Sequence, residues 1–323
     1  MSSLLPQLTT LSNLHAAFLR VEASQGRAWV DGVSLGEFRH NLDLNLAVLS
    51  DDLFSGRYFP LPLLRLLVAK ADGSPRPLSI PTVRDRVAQA AVLNNIEPLF
   101  EAQFEEVSFG YRKGRSVKHA ALRIRELHQQ GHRFIVEADL DAFFDSIDHG
   151  LLLAKVANLV TDPAVLKLIR LWVQAEIYDG EKIYVLEKGI PQGAVISPLL
   201  ANLFLDELDE ALLHRGYQLV RYADDFVILA QTRPQAEAAL ELTEEILGRL
   251  HLALDTEDTT ITDFDKGFEY LGLIFLKDSI FAPFDRPRRE KKVLYFPPPF
   301  DLPGYLARRT TGDRGPATGA KGD

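Results

Sequence analysis

An α+β fold, an antiparallel sheet flanked by helices, is what this sequence predicts, and three observations lead there. The element order is β-rich with helices inserted, not a regular strand–helix alternation. Hairpin signals stand at 63–81 and 218–230, where apolar strand-length runs flank turn residues. The 323 residues, 46% hydrophobic and 25% charged, match an ordinary globular chain with room for two or three structural units.

The elements follow in order. The first sixty residues are helical, with Leu42, Leu46 and Leu49 at helical spacing. Leu66, Leu67 and Val68 lead through a turn at Ala71-Asp72-Gly73-Ser74 into a second strand ending at Pro81, with Lys70 and Arg76 flanking the turn. A long helix over about 84–104, a basic loop over 108–116 and a helix to about Gln130 come next. Residues 134–140 read as a buried strand ending in acids, then two helices lie between about 149 and 175. The run 182–190 reads as strand, leading through Pro191-Gln192-Gly193 into a helix over 197–214. Strand, tight turn and strand occupy 218–230 with Ala223-Asp224-Asp225 at the turn, and an acidic-faced helix covers 234–251. Short strands follow around 259–262, 268–275 and 280–282. After Pro283 come a basic run, Arg286 to Lys292, three prolines at 297–299 and, from about Arg308, a Gly- and Thr-rich tail that reads as linker.

Composition excludes several functions. Without cysteine there is no disulfide, thiolate zinc site, iron–sulfur cluster or thiol nucleophile, so any metal is held by oxygen or histidine. No apolar run approaches the roughly 18 residues of a membrane span, and no basic residue precedes Arg20, which argues against a secretory signal. A cytoplasmic protein is expected. The net charge of −9 speaks against a polyanionic partner until its distribution is read. Residues 108–133 carry seven basic side chains against one acid, whereas 234–265 carry nine acids against Arg249 alone. Such segregation suggests one face for a polyanion and another for solvent.

Two acidic clusters stand where strands end, Asp139-Leu140-Asp141 and Asp224-Asp225. Carboxylates are the hard ligands Mg²⁺ prefers, and two such ions about 3.5 to 4 Å apart serve in-line phosphoryl displacement. An Asp-Asp pair alone is as compatible with a solvated turn. Here Arg221-Tyr222-Ala223-Asp224-Asp225-Phe226-Val227-Ile228 sets the acids between two apolar strands, where buried charge needs a counter-ion.

Tyr222-Ala223-Asp224-Asp225 in a hairpin, a strand ending in Asp139, and the ordered run from Gly189 through Pro191-Gln192-Gly193 and Ser197-Pro198 to Asn202 resemble a reverse transcriptase of the bacterial group II intron type. The resemblance spans about 66–275. It implies a right-hand polymerase with an N-terminal helical extension (1–60), fingers (61–135), palm with primer grip (136–282) and a basic, Pro/Gly-rich reduced thumb or linker tail (283–323). It implies that Asp139, Asp224 and Asp225, helped by the Leu140 carbonyl, bind two catalytic Mg²⁺ ions, with Mn²⁺ as a substitute. Lys70, Arg76 and Gln192 match residues contacting the incoming dNTP, and Phe144 the aromatic gate that rejects a ribose 2′-OH; core packing is the competing role for Phe144. Arg112, Lys113 and Arg115 match a basic loop along the template, and Gly193 permits close backbone approach. Tyr270, Leu271 and Gly272, within Phe268-Glu269-Tyr270-Leu271-Gly272, match the primer grip. The implied partners are an RNA template, a DNA or RNA primer and dNTPs, with no membrane.

One departure concerns the chemistry. Where such enzymes carry a lysine that protonates the departing pyrophosphate, this chain has Asp258, which implies a slower enzyme or another donor, Lys266 or a histidine. The Ser-Pro ending of 192–198 disfavours the diversity-generating branch, and no Val-Thr-Gly of the retron kind occurs late in the chain. A compact domain without the maturase segment, ending Pro-rich, is similar to reverse transcriptases of CRISPR adaptation, which work beside a spacer-integrase subunit to capture spacers from RNA. The alternatives are a group II intron-derived enzyme lacking its maturase domain, a weak or inactive RNA-binding relic, and an RNA-dependent RNA polymerase.

Overall fold

A computed structural model describes residues 3–24, 30–70, 73–282 and 292–311. The N-terminal segment is helical, as expected: α1 (Leu5–Leu8), α2 (Leu11–Ala23), α3 (Leu35–His40) and α4 (Leu42–Phe54). Thr10 caps α2 by accepting from the Asn13 amide, and Ser34 with Glu37 forms a capping box on α3. The hairpin follows as β1 (Leu63–Ala69) and β2 (Pro75–Ile80), antiparallel from Leu64↔Ile80 to Ala69↔Pro75. Ala71 and Asp72 of its turn lie outside the described residues. α5 (Val83–Glu101) is capped by Thr82 and buried on most of its circumference, which makes it the axis on which α2 packs.

Beyond it come α6 (Val117–Gln129), β3 (Phe134–Ala138), a single turn α7 (Phe143–Ser146), α8 (His149–Leu159) and α9 (Pro163–Val173). The strand expected over 182–190 is shorter. Regular pairing covers β4 (Glu176–Tyr178) and β5 (Ile183–Val185), and Gly189, in the left-handed region at φ +80°, turns the chain away. A side chain there would meet the Asp145 and Phe144 backbone at 2.8 Å, so only glycine fits. α10 (Ser197–His214) has the predicted limits, followed by β6 (Gln218–Tyr222), β7 (Asp225–Ala230) and α11 (Arg233–Arg249). The last elements are β8 (Thr260–Asp263), β9 (Phe268–Tyr270), β10 (Leu273–Leu276), β11 (Ser279–Phe281), β12 (Val293–Tyr295) and α12 (Leu302–Thr311).

The central sheet is antiparallel, in the order β6-β7-β3-β8. Its two inner strands, β7 and β3, are largely buried on both faces, which explains why β7 reads as an apolar run from Phe226 to Ala230 and β3 as one interrupted only by Glu137. Val136, Phe226 and Ile228 face the main helical core, whereas Ile135, Val227 and Leu229 face a smaller core with Ile124, Phe268 and Phe275. A second sheet joins β12, β1, β4 and β5, with β2 on β1; a third is β11-β10-β9.

The C-terminal stretch needs a correction. Of the basic run, residues 286–291 lie outside the described residues, but Lys292 accepts a hydrogen bond from the Ala69 amide at 2.9 Å, and β12 pairs with β1. Arg308 does not begin a linker: α12 continues to Thr311, with the Arg309 guanidinium 4.4 Å from the Phe59 ring centroid. Residues 312–323 are outside the described part.

Candidate active site

Two strand ends bring the acids together. β3 pairs with β7 up to Ala138↔Phe226, so Asp139 and Asp225 are the next residues at the same edge of the sheet. The β6–β7 hairpin closes with Tyr222 opposite Asp225, leaving Ala223 and Asp224 as a two-residue turn. Ala223 is left-handed at φ +62°, a conformation an L residue holds only when its surroundings impose it. Those surroundings are specific. Arg221 is fully buried, pairs with Asp209 and donates to the Asn202 side chain (3.0 Å) and the Ala223 carbonyl (2.9 Å). Asn202 in turn donates to the Gly110 carbonyl at 2.9 Å. Gly110 lies so close to the turn that a Cβ would stand 2.3 Å from the Ala223 nitrogen. The basic loop and the acidic turn are thus one packed unit.

The acids feel each other. Partial desolvation, then Asp224 and Asp139, push the Asp225 carboxyl up to about 6 against the pull of Arg76. Asp225 is nonetheless exposed at its outer edge, and Asp139 and Asp224 are half-buried, so the cluster is an open acidic rim and not the buried group its apolar flanks suggested. Asp139 is likewise raised, by desolvation first and then by Asp224, Asp258 and Asp255, while the Leu140 amide donates to it at 2.9 Å. This donor set fits a hard divalent cation: carboxylate oxygens only, at one sheet edge, with mutual repulsion that a cation relieves. The fit is one of donor type and charge, since among the described residues no three His, Asp or Glu side chains converge closely enough by themselves to hold an ion.

Beside the rim lies a cavity of about 730 Å³, lined by Lys70, Arg76, Tyr111, Phe144, Gln192 and Gly193 among others. The four side chains matched to nucleotide binding therefore share one cavity, although they come from three separate chain segments. Arg76 donates from Nε to the Gln192 side chain at 2.9 Å, and the Gln192 carbonyl accepts from the Ser79 amide at 2.7 Å. Phe144 is buried edge-on against Phe143, its carbonyl held by the Ile190 amide at 2.7 Å, and it also borders the cavity.

Two residues of this region were not singled out from the sequence. Gln89, on α5, accepts from the Val195 and Ile196 amides at 2.8 and 3.3 Å and fixes the loop behind Gln192. Tyr111, at φ +59°, lines the cavity with Arg76 and lies within electrostatic reach of Asp224; burial and then Asp224 raise its hydroxyl pKa. No local pattern marks either one. Only the fold brings them to the site.

Three expectations are corrected. Arg112 cannot follow a template: its side chain is 3% exposed, and it is spent on Glu101 and the Phe104, Glu105 and Ser108 carbonyls. Lys113 and Arg115 pair with Glu97 and Glu106, and of the three only Lys113, at 80%, has a largely exposed side chain. Tyr270 faces inward, its hydroxyl donating to the Val220 and Asp225 carbonyls at 3.1 and 3.0 Å, so it supports the acidic turn; Leu271 and Gly272 form the left-handed β9–β10 turn beside it. Lys266 cannot replace the missing lysine. Asp263, its ion-pair partner, is in register with Phe134, at the opposite end of β3 from Asp139, roughly 16 Å away at strand rise.

An antiparallel palm sheet flanked by helices, with paired acids at its edge and a cation-lined cavity beside them, is the architecture of a template-directed polymerase. Residues 68–275 match the family model for reverse transcriptase (RNA-dependent DNA polymerase), and the chain belongs to that family. It is 34% identical over 282 residues to Protein YkfC of Escherichia coli K12, covering 75% of this chain and 74% of that protein. It is 38% identical over 162 residues to the group II intron-encoded protein LtrA of Lactococcus lactis, covering 50% of this chain but only 27% of LtrA. In fold it resembles telomerase of Candida albicans, with a TM-score of 0.53 at 13% identity over 71% of this chain and 47% of the telomerase. Among the described residues no helix is long and apolar enough to cross a membrane.

Proposed function

We propose that this chain extends a primer on an RNA template with dNTPs, at the site where Asp139, Asp224 and Asp225 meet the Arg76–Gln192 cavity. The observation carrying the reading is that juxtaposition: an acidic rim and a cationic nucleotide-sized cavity, joined through Tyr111. The domain division follows the same lines, with fingers on the β1–β2 hairpin, palm on the β6-β7-β3-β8 sheet, and residues 292–311 packed back onto the fingers sheet.

In the proposed reaction the primer 3′-oxygen attacks the α-phosphorus, an O–P bond forms, and the α–β bridge breaks to release pyrophosphate. Asp139, Asp224 and Asp225 would hold two Mg²⁺ ions, with the Leu140 carbonyl as a further ligand; bound there, such ions supply a more acidic 3′-hydroxyl and neutralise charge on the leaving group. Lys70 and Arg76 hold the triphosphate, the first as a point charge and the second as a planar fork kept in orientation by Gln192. The Phe144 ring, packed edge-on against Phe143 at the border of the cavity, would collide with a ribose 2′-hydroxyl. Gly193 lets the template strand approach the backbone.

Primer extension on an RNA template tests the reading, with Mg²⁺ or Mn²⁺ and with dNTPs or NTPs. Wild type is expected to incorporate dNTPs, and Asp224→Ala and Asp225→Ala to lose at least about a hundredfold in rate, the equivalent of roughly 3 kcal/mol. NTP preference would make it an RNA polymerase, and RNA binding without synthesis a relic. Of the narrower roles, the LtrA similarity favours an intron-derived enzyme. Capture of RNA-derived spacers beside a spacer-integrase subunit is the other reading; failure to co-purify with such a subunit co-expressed from the same source would exclude it.

A further inference from the structure

Behind the strand and loop that wall the nucleotide cavity lies a second cavity, of about 330 Å³. Leu78 and Ile80 of β2, Gly193 and Val195 of the loop, Arg20 of α2 and Arg86 of α5 border it. Leu78 and Gly193 border both cavities, so one strand and one glycine turn separate them.

Arg86 is the unusual group. It is 4% exposed, and among the described residues its Nε and Nη2 have no hydrogen-bond partner. The other cation is already used, since Arg20 forks onto Glu97 at 3.1 and 3.2 Å, and Glu97 also takes Lys113. Among the described residues no carboxylate pairs with Arg86. Asp31 acts on it through space, while the Asp31 side chain accepts from the Val33 amide at 3.2 Å. A guanidinium keeps its proton even when burial pulls its pKa down, so it cannot escape the cost by neutralising. Apolar walls of Leu78, Ile80 and Val195 strengthen whatever ion pair it makes. The cavity's chemistry therefore calls for an anion.

Its position selects which anion. A base that templates the nucleotide in the larger cavity must lie along that cavity's wall, and the strand carrying it bears a phosphate on each side of every nucleotide. Lys70 and Arg76, the cations matched to the triphosphate, border the larger cavity and not this one. At the shared wall the Gly193 backbone lies close on β2, where a Cβ would stand 3.1 Å from the Ser79 carbonyl, so the partition between the two cavities is thin. Resting on the polymerase reading above, we infer that Arg86 binds a backbone phosphate of the template strand next to the templating nucleotide, in the cavity between α2, α5 and β2.

A methylphosphonate scan tests this on the full-length wild-type protein. RNA templates, each with one uncharged linkage near the primer terminus, are titrated by fluorescence anisotropy. One linkage is expected to weaken binding by at least about tenfold, the range of a hydrogen bond to a charged group. Arg86→Gln should lose the same factor on unmodified template, show no further loss at that linkage, and lower the slope of log K against log salt by about 0.7 to 1. Should Arg86→Gln fold poorly by thermal melt, Arg86→Lys keeps the charge without the fork and should retain the salt slope while binding more weakly. A flat scan in wild type, or a scan unchanged in the variants, overturns the inference and leaves the polymerase reading intact if wild type still extends primers. Relief of pyrophosphate inhibition in Arg86→Gln, without a scan effect, would assign the site to free pyrophosphate and overturn the template assignment. Failure of wild type to extend any primer counts against the polymerase reading itself.

Discussion

Asp258 lies beside Asp139 where a proton donor is expected. β8 pairs with β3 through Glu137↔Thr260, and continuing that register by two residues sets Asp258 level with Asp139. Its charge is among the causes of the raised Asp139 pKa, after desolvation and Asp224. A carboxylate there repels the negative charge that builds on a departing pyrophosphate, where a lysine would attract it and donate to it. Asp258→Lys is therefore expected to raise the single-turnover incorporation rate by about tenfold or more, a modest share of what general acids contribute. Asp258→Asn removes the repulsion without adding a donor and should gain much less. Equal gains in the two variants would show field relief and not proton donation, and no gain in either would mean that pyrophosphate departs here without such help. Residue roles were the least legible layer of the sequence. Arg112 looks like its neighbours Lys113 and Arg115 in a basic stretch, and nothing local reveals that three backbone carbonyls consume its guanidinium.

At the scale of elements, the acidic turn depends on a loop over a hundred residues earlier in the chain. Phe109 donates its amide to the Arg221 carbonyl at 2.8 Å, Arg221 donates to the Val107 carbonyl at 2.9 Å, and Gly110 then rests on Ala223. The contact is backbone against backbone, so no rotamer change relieves a new methyl group. Gly110→Ala should cost about 1–3 kcal/mol, as overpacking does, and lower Tm by several degrees for a chain of this size. Because the displaced atoms carry Asp224, extension should fall far more than stability, by about a hundredfold at a temperature where circular dichroism shows the variant folded. Activity that merely tracks the folded fraction would sink the argument. Elements themselves were legible: the limits of α10, the β6–β7 hairpin and the helical N-terminus follow from periodicity and turn residues. The contacts between them were not, because Gly110 on Ala223 is a consequence of packing and has no sequence period.

Across the whole molecule, the C-terminal stretch returns to the sheet that presents Lys70. β12 lies antiparallel on β1, with Leu67↔Tyr295 and Val68↔Val293, and the Ala69 amide bonds to Lys292 immediately before Lys70. Further along, Phe300 packs on Tyr178 with ring centroids 4.8 Å apart, Tyr305 bonds to Glu176, and Arg309 stacks on Phe59. These contacts tie the stretch to β4 and to the segment entering β1, parts of the second sheet distant in sequence. Without β12, β1 would present unpaired amides and carbonyls at its Lys70 end, and a frayed edge orders a side chain poorly. Ending the chain after Ala282 removes β12 and α12 but leaves every strand of the central sheet. Such a protein should keep its palm, read as near-wild-type far-UV circular dichroism, and still bind template RNA. Its KM for dNTP should rise by about tenfold, the equivalent of one weakened charged contact, with a smaller change in kcat, because the loss falls on Lys70 and the triphosphate rather than on the acids. If kcat collapses while KM holds, the stretch acts on the metal-binding edge. If neither moves, β1 keeps Lys70 in place without help from β12.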